Sequence, residues 1–191
     1  PIPSGGRYFL ENVDINSFRA LDSQDRSTLM VGMDKNHVYC GNISLSDLNP
    51  NKLEVIGNGY YTDGTNTYFC SPNPERNEKL PGIMEFLQSL VYSYSKTKRP
   101  QSYIYPYTKI ENEKKLQAVK DLYLVATDGE KVYYKGKLLE NADLKTLKRV
   151  DMYTEYLADK ENVYYKSKLL PIKNSGKLKI VSTEQGNEFL Y

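Results

Sequence analysis

The chain has 191 residues, 39% of them hydrophobic, and its 26 basic and 24 acidic side chains leave a formal net charge of +2. That total is too small to act as an electrostatic magnet for nucleic acid or anionic lipid, and no apolar run approaches the roughly 20 residues that a membrane-spanning helix needs. A chain of this length forms one domain or a short array and buries roughly 70% of its unfolded surface on folding.

The chain opens on Pro1-Ile-Pro-Ser-Gly-Gly6, with no signal peptide in the sequence as given, which fits either a mature end after cleavage or an arbitrary boundary. Pro3-Ser-Gly-Gly-Arg-Tyr8-Phe9 is the first of a series of related segments. Asp34-Lys-Asn-His-Val-Tyr39-Cys40, Asp63-Gly-Thr-Asn-Thr-Tyr68-Phe69, Asp128-Gly-Glu-Lys-Val-Tyr133-Tyr134 and Asp159-Lys-Glu-Asn-Val-Tyr164-Tyr165 are its clear members. Their aspartates stand 29, 65 and 31 residues apart. The doubled middle gap predicts a worn copy at Lys98-Arg-Pro-Gln-Ser-Tyr103-Ile104, and Glu184 to Leu190 reads as a truncated last one.

Each segment reads as a β-hairpin. The aspartate side chain bonds backbone amides two residues on, a tight loop follows, and Val-Tyr-Tyr or its equivalent returns as the partner strand. Asp63-Gly64 and Asp128-Gly129 are the strongest such signals. Gly57-Asn58-Gly59 is a bend entering a strand at Tyr60-Tyr61. A second motif precedes the hairpins: Asp14-x3-Phe18-x2-Leu21, Asn112-x3-Leu116-x2-Val119, Asp143-x3-Leu147-x2-Val150 and Asn174-x3-Leu178-x2-Val181. In it Asp or Asn caps a short turn whose apolar residues point inward.

Strand alternation places Tyr39, Tyr68, Tyr133 and Tyr164 on one face and the variable residues Val38/Cys40, Thr67/Phe69, Val132/Tyr134 and Val163/Tyr165 on the other. Repetition at every copy marks Asp34, Asp63, Asp128, Asp159 and the tyrosines, with Tyr103 in the worn copy, as structural. Residues 71–97 break the series. A Pro/Asn-rich loop leads into Leu80-Pro81-Gly82, and Ile83, Phe86, Leu87, Leu90 and Tyr94 then follow helical spacing, so a helix is expected near 82–95, covering an open side of the sheet. Its alternative role is a partner-specific surface, with Arg76, Phe86, Tyr92, Tyr94 and Arg99 as candidate contacts. Cys40 and Cys70 end neighbouring repeat strands and fit one disulfide or two buried thiols.

The expected architecture is therefore all-β: repeated hairpins stacked into a curved or solenoid-like sheet within a single repeat domain over 1–191. The units lie near 3–33, 34–62, 63–70, 98–127, 128–158 and 159–191, with the insert at 71–97. The Asp-Lys-x-x-Val-Tyr-Tyr signature, with Ala142-Asp143-Leu-Lys-Thr146-Leu147, resembles the DKNYY repeat family of bacterial proteins. The likeness is good over 112–170, partial over 8–70 and poor over 71–111. It implies a bacterial protein, often exported or anchored at the envelope, with no defined catalytic activity and no functional residue to carry over.

Chemistry is sparse. The one histidine, His37, sits in a hairpin loop, which removes the usual nucleophile–histidine pairs, and no phosphate loop, dinucleotide fingerprint or metal-ligand spacing occurs. No cofactor or metal is expected. Lysine and tyrosine interleave at Lys131–Lys137 and Tyr164–Lys168, which edge-strand protection explains without nucleic acid. The expected function is a non-enzymatic protein-binding module, an envelope scaffold or a toxin-neutralising immunity-type protein. The alternative is a carbohydrate-binding module that uses exposed tyrosines. The expected location is periplasmic or envelope-exported, with the cytoplasm as the alternative.

Overall fold

The computed structural model describes residues 10, 12–21, 25, 28–95, 102–112, 114–182 and 188–191. The copy expected at 3–9 lies outside these residues, as does Arg99. Two compact units divide the chain, Pro1–Glu111 and Asn112–Tyr191.

The described residues are all-β with one α-helix, built on the expected hairpins. Each hairpin is the central pair of a four-stranded antiparallel sheet rather than a free two-stranded unit. In the first unit β1 (Arg19–Ala20), β2 (Val31–Met33), β3 (Val38–Cys40) and β4 (Ile43–Leu45) pair in sequence order. Next come β5 (Glu54–Gly57), β6 (Tyr60–Thr62) and β7 (Thr67–Cys70) of a second sheet. The insert carries β8 (Glu75–Arg76), α1 (Gly82–Ser95) and β9 (Tyr103–Ile104), with β8 and β9 forming a small sheet of their own. Only then does β10 (Tyr107–Ile110) return to complete the second sheet against β7.

In the second unit β11 (Gln117–Ala118), β12 (Val125–Thr127), β13 (Val132–Tyr134) and β14 (Lys137–Leu138) form one sheet. β15 (Lys148–Arg149), β16 (Tyr156–Ala158), β17 (Asn162–Tyr165) and β18 (Lys168–Lys173) form another, and β19 (Ile180–Ser182) pairs with β20 (Glu188–Leu190).

The doubled middle gap therefore has a different cause from the one its length implied. No copy is lost between Asp63 and Asp128. The chain leaves the second sheet after its third strand, builds the insert, and comes back at β10. Tyr103 is not a repeat seat. It pairs with Arg76 across the β8–β9 ladder and is 36% exposed, whereas the four true repeat tyrosines are buried.

Turn chemistry sets the register of all four hairpins in the same way. The amides of Asp34, Asp63, Asp128 and Asp159 each donate to the carbonyl three residues on, at 2.9, 3.2, 3.3 and 3.0 Å. Each Oδ1 in return accepts the amides two and three residues on, at distances between 2.6 and 3.0 Å. The loop backbone is thus held by one short side chain, and the strands enter the loop already in register. Elsewhere Asn58-Gly59 joins β5 to β6 with both residues at positive φ, 54° and 85°. A Cβ on Gly59 would lie 2.9 Å from the Cys70 carbonyl oxygen, so only glycine fits there.

The second and third strands of each four-stranded sheet are largely buried, and within a unit the two such sheets stack, each covering one face of the other. In the first unit Val31, Met33, Val38, Cys40 and Leu45 of the first sheet share a core with Tyr61, Tyr68 and Cys70 of the second. The variable face of one sheet thus meets the tyrosine face of the next. The second unit repeats this arrangement: the Ser167 hydroxyl donates to the Tyr134 carbonyl at 3.1 Å, and Arg149 lies 5.6 Å over the Tyr134 ring. Cys40 and Cys70 are joined in a disulfide across the first of these interfaces, with Cα atoms 5.8 Å apart.

Candidate interaction surface

Three of the four repeat aspartates have a second task. The Oδ2 atoms of Asp34, Asp63 and Asp159 accept the backbone amides of Asp14, Asn49 and Asp143 at 2.9, 2.9 and 3.0 Å. Those three residues open the capped turns, and their own side-chain oxygens accept the amides of Asn16, Asn51 and Lys145. The two sequence motifs are therefore one device: the hairpin turn holds the turn that leads into its own sheet. The Asn49 copy, Asn49-x3-Leu53-x2-Ile56, has the same internal spacing as the recognised ones. Spacing alone would have revealed it.

The repeat tyrosines complete the device. Tyr39 donates to Asp34 Oδ2 at 2.8 Å, and Tyr164 donates to the Glu140 carbonyl at 2.9 Å and lies 3.3 Å from Asp159 Oδ2. Tyr68 reaches Asp47, in the turn after β4, at 3.2 Å, where Asn66 also donates to the Asp47 carbonyl. Asn162, the equivalent of Asn66, donates to the Asn141 carbonyl. His37 stays at the loop, its Nδ1 3.7 Å from Asp34 Oδ1 and 3.5 Å from the Tyr39 hydroxyl.

These bonds set the titration of the groups. Burial by itself would push Asp34 and Asp159 upward. The amides of Asp14, Asn36 and His37 with the Tyr39 hydroxyl, and those of Asp143, Asn162 and Glu161, outweigh it, holding Asp34 well below the usual carboxylate range and lowering Asp159. Asp63 and Asp128 are lowered in the same manner. Burial, and then the hydrogen bond to Asp34, pushes Tyr39 up to about 12, and burial and the Asp159 charge raise Tyr164. The sign follows for each. The lowered carboxylates contribute stability above their unfolded value of about 4, and it is lost as pH falls toward their folded values. The raised tyrosines contribute stability below about pH 10, lost as pH rises through their folded values. Urea midpoints measured across pH are expected to be flat from about 5 to 9 and to fall on both sides. An acid limb starting near pH 6 would contradict the turn-aspartate assignment.

What remains for contact is the outer rim and the insert. The loop tips Lys35-Asn36, Gly64-Thr65, Gly129-Glu130 and Lys160-Glu161 are exposed and differ from copy to copy, on loops held rigid from beneath. Among the candidate contacts of the insert, Arg76 pairs bidentately with Glu85 and lies 5.9 Å over the Tyr103 ring. Phe86 and Tyr94 are exposed, at 62% and 89%, and Tyr92 is half-buried. The structure brings Arg76 to the base of α1 but sets Phe86 and Tyr94 on the side facing away.

The helix does not cover a sheet. None of its residues is buried. The half-buried positions are Glu85, Gln88, Ser89 and Tyr92, whereas Ile83, Met84, Phe86, Leu87, Leu90, Val91 and Tyr94 are exposed. Its polar stripe rests on the protein and its apolar stripe looks out, the reverse of an ordinary surface helix. The expected orientation fails because the sheets already cover one another, and α1 is held at its base by the Arg76–Glu85 pair instead.

Among the described residues, no three His, Cys, Asp or Glu side chains gather as a metal set, and no helix is long and apolar enough to cross a membrane. No curated protein and no solved structure matches the chain. The family match runs over residues 4–168, taking in the insert as well as the four hairpins, and the chain belongs to the DKNYY family.

Proposed function

We propose that this protein is a non-enzymatic protein-binding scaffold of the cell envelope. The observation that carries this reading is the division of labour within each copy. Asp34, Asp63, Asp128 and Asp159 spend their carboxylates on their own turns, while the tip residues above them vary and stay in water. Exposed residues on loops held rigid from below are what recognition uses, because little order remains to be lost on binding. The envelope location is supported by the Cys40–Cys70 disulfide, which persists in oxidising compartments. The repeat tyrosines Tyr39, Tyr68, Tyr133 and Tyr164 are buried and offer no stacking platform of their own, which favours a protein partner over a carbohydrate.

The test is site-directed photocrosslinking from Asn36, Thr65, Glu130 and Glu161 in envelope preparations. Discrete protein adducts are expected at neighbouring tips, lost when the tip residues are replaced by serine while the melting temperature stays constant. Adducts that are absent at every tip, or unchanged by tip replacement, would reject the reading.

A further inference from the structure

The second unit carries a motif that neither the aspartate turns nor the insert explains. Tyr134-Lys135-Gly136-Lys137-Leu138-Leu139 and Tyr165-Lys166-Ser167-Lys168-Leu169-Leu170 differ at a single position. In each, the first lysine lies in the turn between the third and fourth strands of its sheet, and the second opens the fourth strand opposite the tyrosine. These turns stand at the other end of the hairpins from the aspartates.

Protection of an edge strand accounts for Lys137 and Lys168, at the start of β14 and β18. It does not account for Lys135 and Lys166. Both have positive φ, 50° and 54°, a conformation that is strained for a side chain and suits glycine. The first sheet has the ordinary solution. There Gly41, with φ 57°, donates its amide to the Met30 carbonyl, as Lys135 does to Leu124 and Lys166 to Glu155, at 2.7, 3.0 and 3.1 Å. Lysine thus occupies a glycine seat twice, in neighbouring sheets. Strain kept at a surface turn points to a use for the side chain.

Stacking brings the two turns together. The Ser167 hydroxyl bonds the Tyr134 carbonyl, and Glu155 pairs with both Lys135 and Lys166, holding them in place without matching their charge. Arg149 donates to the carbonyls of Thr154 and Tyr123 at 3.1 and 3.0 Å on the same side. Lys137 and Lys168 are exposed and form no ion pair among the described residues. The turns and loops at this end hold six cations, Lys120, Lys135, Lys137, Arg149, Lys166 and Lys168, against Asp121, Asp151 and Glu155. That is an excess of three in a chain whose total is +2. Leu138 and Leu169 are exposed beside the lysines, and Tyr123, Met152 and Tyr153 are exposed on the adjoining loops.

We propose that this corner of the second unit binds an extended acidic segment of a protein partner, its carboxylates meeting the four lysines of the paired turns and its apolar side chains meeting Leu138 and Leu169. Stacked sheets lie about 10 Å apart, so a segment of about four residues spans both turns. The excess of positive charge sets the sign of the partner. Tyrosine, methionine and arginine beside the lysines give the composition of a protein interface. A nucleic acid is the poorer occupant, since so small an excess neutralises few phosphates and Tyr134, the ring beneath Lys135, is buried. The corner is separate from the aspartate-turn tips, and either reading can fail while the other stands.

The experiment measures the anisotropy of a fluorescein-labelled peptide of eight alternating glutamates and valines with the full 191-residue chain, at about 0.15 M salt. Saturable binding is expected, and none by a peptide of alternating serine and valine. The variant K137S/K168S is expected to bind about tenfold or more weakly, with an unchanged melting temperature because both side chains are exposed and unpaired. K135G/K166G is expected to lose affinity by a similar factor with no fall in melting temperature, since Gly41 holds the same backbone in the first sheet. Failure of the wild type to bind the acidic peptide overturns the proposal, as does undiminished binding by K137S/K168S. A lowered melting temperature for K135G/K166G with unchanged affinity would make those lysines structural and overturn it too. Tighter binding of a single-stranded oligothymidylate than of the peptide, lost in the same variants, would assign the corner to nucleic acid instead.

Discussion

Removing the Cys40–Cys70 disulfide, by paired alanine substitution, is expected to destabilise the first unit by about 3–4 kcal/mol. The bond closes a loop with a sequence separation of 30, and in the chain-entropy account that closure restricts the unfolded chain by roughly this amount. A second contribution comes from position. Both cysteines are fully buried in the core that the first two sheets share, so the alanines also leave a small cavity there. The second unit contains no cysteine and serves as the internal reference. Calorimetry of the oxidised protein, the reduced protein and the double alanine variant should move one transition down and leave the other in place. Equal profiles for all three would show that the bridge adds nothing to the stack.

Asp159→Ala is the second large effect, expected to cost the second unit about 3–5 kcal/mol. Its carboxylate is buried and accepts from five donors: the amides of Glu161, Asn162 and Asp143, the Asn162 side chain and the Tyr164 hydroxyl. Each hydrogen bond to a charged group contributes about 1.5–3 kcal/mol, and the five share partners, so their sum overstates the loss. The penalty that survives is that of stranded donors. The Tyr164 hydroxyl keeps the Glu140 carbonyl, but the Asp143 amide loses its acceptor, and the turn loses the atom that sets its dihedral angles. Asp151→Ala is the control: that carboxylate accepts the Tyr153 amide at 2.8 Å in an exposed loop, and its loss should cost under about 1 kcal/mol. Urea denaturation compares the two, and similar losses for both would refute the claim that Asp159 joins the two motifs.

The insert shows how location decides what a local pattern means. Helical spacing from Ile83 to Tyr94 and Pro81 ahead of the first turn placed α1 at Gly82–Ser95, because helix formation depends on neighbours within a turn. The same spacing says that one stripe is apolar without saying which way it faces. That depends on whether another surface needs covering, and the sheets of the first unit already cover each other. The gap between Asp63 and Asp128 misled for a related reason. Its length equals two repeats, yet β10 rejoins β7 across the whole insert, and strand pairing at such separation leaves no mark in local spacing.

The amino-acid order alone settled the hairpins, their aspartate turns and the bounds of the helix, since all of these rest on bonds between residues two to four apart. It also marked Tyr39, Tyr68, Tyr133 and Tyr164 as structural, through recurrence at one position of every clear copy. Tertiary structure decided the rest: four strands to a sheet instead of two, the contact of one sheet's variable face with the next one's tyrosines, the Asp34–Asp14, Asp63–Asn49 and Asp159–Asp143 bonds, and the outward turn of α1. Those features join groups 14 or more residues apart or depend on which surfaces remain uncovered. They arise from packing the whole chain, which no window of a few residues contains.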